Sequence, residues 1–179
     1  LSVREMGYKI KIEPMKGNAV VYIRVTSHLL EKTGKYSEIL RTVNRQDRWR
    51  IETKKETNPL EDIVTTYWYP LKGENQQQFE ITGPASVRVL TRFQFDDENT
   101  KENYHIRIRE DGFDLGTFYF NSEKSDASYV AKTHTPVGKW RSTLLNIPVG
   151  EHFYTFTIPN IKDDRTKTIF IRLKEWKEE

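Results

Sequence analysis

The chain has 179 residues, with 29 lysines and arginines against 26 aspartates and glutamates, and no cysteine. A net charge of +3 is too small to point to nucleic acid or an acidic membrane. Without cysteine there are no disulfides, thiol nucleophiles or cysteine-held metals, and no apolar run approaches the ~18 residues that membrane insertion of a helix needs.

The kind of apolar residue sets the fold class. Val, Ile, Thr, Phe, Tyr and Trp together number 65, while Ala and Leu together number 15. Branched and aromatic side chains fit a pleated sheet, and helices favour Ala and Leu. Tyr8, Ile10 and Ile12 alternate with Lys9, Lys11 and Glu13, the period of a half-buried strand. Residues 14–18 supply a turn, and Val21, Ile23 and Val25 mark a return strand. Tyr36, Ile39, Leu40 and Val43 have helical spacing, but the turn-like stretch 44–47 and the alternation of Trp49, Ile51 and Thr53 favour a β-hairpin over 36–53.

Asn58-Pro59 punctuates the chain and marks a boundary, with an N-terminal hairpin region over 1–57 and a main body over 58–179. The 1–57 region is expected to extend the sheets as one unit or to form a small neighbour. Strand signals then recur at 63–69, 79–82, 86–95, 104–109, 113–120, 128–131, 140–147, 152–158 and 168–174. Breakers separate them, including Gly83-Pro84, Asp111-Gly112 and 148–150. Many short strands without βαβ alternation predict a two-layer antiparallel β-sandwich, of jelly-roll or immunoglobulin-like type.

Asp111-Gly112 is the strongest local signal, because both residues accept the positive φ of a tight type I′ turn. Strict pairing from that turn would put Phe118 opposite His105, on the charged face. One extra residue near Leu115-Gly116 would move Phe118 opposite Ile106 and Phe120 opposite Tyr104. A bulge is therefore predicted there, where glycine is favoured. Ile106, Ile108, Val87, Val89, Phe93, Phe156, Ile158, Ile169 and Ile171 are the predicted core.

No motif of known catalytic mechanics occurs: no nucleophile elbow, phosphate loop, dinucleotide fingerprint or H-E-x-x-H. His28, His105, His134 and His152 are far apart in sequence. Asp96, Asp97 and Glu98 offer oxygen ligands for calcium, but without the spaced loop pattern, so a solvated hairpin loop is the simpler reading. With 26 acids, the sequence alone singles out no glycosidase carboxylate pair. The basic stretch Arg41, Arg45, Arg48, Arg50, Lys54 and Lys55 reads as an exposed strand face that resists edge pairing, rather than a nucleic-acid surface.

Consecutive Tyr67, Trp68 and Tyr69 are the candidate ligand-binding residues. Successive strand residues face opposite sides, so either both faces are covered or one offers rings to a sugar. The stretches at 83–95 and 147–159 resemble strands of bacterial immunoglobulin-like or jelly-roll accessory domains. The resemblance implies the sandwich fold and transfers no residue role. The sequence thus reads as a non-enzymatic binding or structural module of an exported bacterial protein, periplasmic, cell-surface or secreted, with glycan or protein as partner. It needs no cofactor unless calcium binds. The alternatives are a carbohydrate-active hydrolase using a carboxylate pair, and a subunit of a surface or secretion assembly.

Overall fold

The computed structural model describes residues 34–39, 42–43, 47–57, 60–96, 98–159 and 168–178. All belong to one compact unit, Thr33–Glu179. The hairpin predicted over 8–26, the Asn58-Pro59 boundary and Asp97 lie outside the described residues.

Nine strands follow in chain order: β1 (Gly34–Glu38), β2 (Trp49–Thr57), β3 (Leu60–Lys72), β4 (Gln77–Phe93), β5 (Lys101–Glu110), β6 (Phe113–Val130), β7 (Pro136–Gly138), β8 (Arg141–Thr157) and β9 (Thr168–Glu178). There is no helix among the described residues, as the residue imbalance predicts. Every pairing is antiparallel, and the pairs close a circuit β9–β3–β2–β6–β5–β8–β4–β9. The result is an antiparallel β-sandwich whose long strands bend from one layer to the other.

The bends occur where sequence reading expects breaks. Gly83-Pro84 and 148–150 do not end strands; they lie opposite each other inside the β4–β8 pair, with Gly83 facing Gly150 and a register shift between Gly83 and Ala85. Proline is tolerated at a bulge because its missing N–H leaves no ladder bond unmade. A Cβ on Gly83 would lie 1.7 Å from the Pro148 carbonyl oxygen, so only glycine allows this approach. The predicted 36–53 hairpin also resolves differently. β1 pairs with β9, Thr42 bridges to Phe79, and β2 pairs with β3 and β6. Strand periodicity identifies β2, which pairs with the next strand β3, but not its second partner β6 nor the pairing of β1 with β9, both distant in sequence.

Alternate residues of β4, β5, β8 and β9 fill the main core, including Val87, Val89, Phe93, Ile106, Ile108, Phe156, Ile169 and Ile171. Ile158, at the end of β8, packs against it partly buried. A second, smaller core of Ile51, Trp68, Leu90, Val130, Val137 and Phe170 forms on the opposite face of β3, β9 and β4. The alternation proves the opposition: Leu90 lies between Val89 and Thr91, and Phe170 between Ile169 and Ile171. Part of the sandwich is thus covered on both sides, by β2, β7 and the end of β6.

Candidate functional site: an ordered polar face and an ion triad

The Asp111-Gly112 turn sets the register of β5 and β6 and so the geometry of their outer face. Both residues have positive φ, 49° and 86°, as a type I′ turn requires. Pairing runs Glu110–Phe113, Arg109–Asp114, then Ile108–Gly116, leaving Leu115 as the extra residue. Gly116 adopts φ 130°. Beyond the bulge, Phe118 meets Ile106 and Phe120 meets Tyr104, the predicted offset.

The same register lines up the outward residues of β5 and β6. Asn121 donates to Asn103 at 2.9 Å. The next outward pair is His105 and Tyr119, with ring centroids 5.2 Å apart. Then comes Arg107, whose Nε donates to the Asp114 carboxylate at 2.9 Å while Asp114 also accepts the Gly116 N–H. Hydrogen bonding from Arg107 holds the Asp114 carboxyl below its usual range. Across β8 the face continues through Thr157 opposite Arg107 and Thr155 opposite Arg109. Tyr119 is 56% exposed and Phe153 40%. These are planar polar groups already held by one another, with an aromatic ring among them.

At the turn end, His152 Nδ1 lies 2.9 Å from Asp111 and 3.3 Å from Glu110. Its Nε2 lies 3.4 Å from the Val149 carbonyl oxygen. A carboxylate oxygen only accepts, so His152 Nδ1 donates to Asp111. The hydrogen bond donated to Asp111 raises the His152 pKa above its ordinary value of 6.5. Asp111 also accepts the Phe153 N–H at 2.8 Å, and with His152 this lowers its own pKa. Tyr154 donates to Glu110 at 2.6 Å. The three ligand-type atoms lie within 4.8 Å of one another. Calcium prefers oxygen ligands, and only two of the three groups are carboxylates, so the set is poorer in oxygen than a typical calcium site. As a hydrolytic pair it is poorly set, because the Asp111 carboxyl is displaced toward ionisation rather than toward a general acid.

The sequence-predicted residues are placed as follows. Trp68 is 3% exposed and Tyr69 4%, one in each core, and Tyr67 is 45% exposed. Trp68 donates its indole N–H to Thr66 at 2.8 Å, and Arg48 lies 5.2 Å from the Tyr67 ring centroid. The three therefore share no open platform. Asp96 accepts hydrogen bonds from Glu98 N, Asn99 N and Asn99 Nδ2, so its carboxylate closes its own loop. Sequence reading placed His105 as a solvent-facing strand residue but missed its neighbours as a group. The signal was the register itself: once the bulge is fixed, 103, 105 and 107 must face 121, 119 and 117.

No protein-family model matches the sequence, and no curated protein matches it. Solved structures similar in outline include a carbohydrate-binding module CBM36 in complex with calcium and xylotriose, 11% identical, TM-score 0.37, covering 81% of this chain and 99% of that one. A family 35 carbohydrate-binding module from Clostridium thermocellum is 12% identical, TM-score 0.40, covering 82% and 99%. The Agl-KA catalytic domain is 12% identical, TM-score 0.43, with 86% of this chain over 30% of that one.

Proposed function

We propose that the chain is a non-catalytic binding module that holds a glycan on the outer face of β5, β6 and β8. One observation carries this reading: the in-register pairs Asn103–Asn121 and His105–Tyr119, continued by the diagonal Arg107–Asp114 contact, hold these polar groups before any ligand arrives. Sugar hydroxyls both donate and accept. Amide, guanidinium and carboxylate side chains serve both needs, and an exposed ring covers the apolar face of a pyranose. Groups held in place lose little freedom on binding, which favours affinity. Tyr119 is the expected stacking ring. In this reading the module works outside the cytoplasm, where polysaccharides are met, and calcium has no structural role at the ion triad.

The test is a glycan array followed by calorimetry on the best binder. Tyr119→Ala should weaken binding at least about tenfold. Because the ring is exposed, its thermal unfolding should match that of the unmodified chain. Unchanged affinity in Tyr119→Ala and in Asn103→Ala would remove the face from consideration. A chelator should leave both affinity and thermal stability unchanged.

A further inference from the structure

A second surface carries a different chemistry. On the face of β4 and β9 away from the main core, Arg88 lies directly opposite Lys174, and Leu90 opposite Arg172. Arg92 stands two residues beyond Leu90 on the same side. Arg92 and Arg172 both approach the Trp68 ring, at 5.5 and 5.9 Å from its centroid. Arg88 sits 4.3 Å from the centroid of the Tyr36 ring. Four cations thus form a row that runs from half-buried Arg88 and Lys174 to buried Arg92.

Among the described residues the row is under-neutralised. Glu38 binds Arg172 Nε at 2.6 Å, and it is also the β1 register partner of Lys174. Arg92 donates to the Gly138 carbonyl at 3.2 Å, while its buried Nε has no partner. Burial, and after Tyr104 the charge of Arg172, displace the Arg92 pKa, which falls to about 10. Burial, then Arg172, likewise lowers Lys174. Like charges directly across a strand pair destabilise a sheet, and Arg88 opposite Lys174 carries that cost. An anion would remove it. Guanidinium forks match the paired oxygens of carboxylate, sulfate and phosphate, and rings behind them keep the forks oriented.

We infer that Arg88, Arg172 and Lys174 form a binding site for an oxyanion, the carboxylate or sulfate group of an acidic saccharide or the same group as a free ion. The site stands on a different strand pair from the Asn103–Tyr119 face and does not depend on the glycan reading.

The test uses the 179-residue chain. Potassium sulfate and trigalacturonate are each titrated against potassium chloride at equal ionic strength, and thermal unfolding and tryptophan fluorescence are followed. A saturable response beyond that of chloride is expected, because Trp68 lies beside Arg92 and Arg172. Lys174→Gln should weaken the response at least about tenfold. Its unfolding temperature without anion should change little, since the repulsion from Arg88 and the attraction to Glu38 are lost together. Arg88→Gln repeats the test should that variant fold poorly. Tighter binding of trigalacturonate than of sulfate assigns the source to an acidic saccharide, and equal binding assigns it to a free oxyanion. Absence of a saturable response to either probe, or the same response in Lys174→Gln and Arg88→Gln, would overturn the site.

Discussion

Trp68 shows what a single residue's neighbours decide. Its ring is closed in by Ile51, Val130, Val137 and Phe170, which come from four other strands. Removing a large buried ring costs about 3–5 kcal/mol, so Trp68→Ala should lose that much in chemical unfolding. Tyr67→Ala, at the surface, should stay within about 0.5 kcal/mol. Sequence alternation shows that neighbours in 67–69 point to opposite sides. It cannot show that both sides are covered, because the covering residues are distant in the chain. His152 is the second residue with a measurable signature. Its raised pKa means that its tie to Asp111 stabilises the fold fully below the ordinary histidine value of 6.5 and is lost as pH rises through the higher folded value. The lowered Asp111 pKa works the other way: that stability is present above the ordinary value of 3.8 and is lost as pH falls through the lower folded value. Melting temperature should therefore decline on both sides of a window between these limits. In His152→Gln the decline on the alkaline side should vanish, and a profile identical to that of the unmodified chain would show that the triad contributes nothing.

The β5–β6 hairpin is the element most legible in the sequence, and the β4–β8 pair the least. In the hairpin, Asp111-Gly112 fixes the register and the core faces of Ile106 and Phe118 then demand one extra residue. In β4–β8, Gly83-Pro84 and 148–150 look like two turns when read singly. Only their mutual opposition reveals a bend common to both strands. The same limit applies to β1, whose partner β9 is the last strand, and to the pairing of β2 with β6. The bulge also gives a paired prediction. Gly116 has φ 130°, a conformation that branched side chains resist, so Gly116→Val should cost about 1–3 kcal/mol. Deleting Leu115 makes the pairing regular while keeping Gly116 opposite Ile108 and Phe118 opposite Ile106. A regular strand position no longer needs positive φ. Adding the deletion to Gly116→Val should therefore recover most of the loss, a coupling that a double-mutant cycle reads directly. Additive losses would show that the bulge is not what makes glycine necessary.

At the scale of the whole molecule, the two cores are not independent, because β3, β4 and β9 wall both. Tyr69, Val89 and Ile169 face the main core, and their chain neighbours Trp68, Leu90 and Phe170 face the smaller one. One core cannot empty without moving the strands that line the other. The strand circuit adds to this, since β2 joins β3 to β6 and so ties the outer layer to both ends of the sandwich. The four tryptophans make the coupling measurable. Trp68 lies in the smaller core with Trp49 packed against it, Trp176 contacts Tyr36 with centroids 4.7 Å apart, and Trp140 is 51% exposed. Fluorescence thus reports mainly on the outer layer, and far-UV dichroism reports on all strands. Because the two share walls, both signals should move through one transition with the same denaturant midpoint, the mark of two-state unfolding. Ile106→Ala, in the main core, should lower that common midpoint through a loss of about 2–5 kcal/mol. Its fluorescence and dichroism midpoints should fall together. A fluorescence midpoint that stayed in place while the dichroism midpoint fell would mean that β2, β7 and the end of β6 fold on their own, and that the shared walls transmit nothing between the cores.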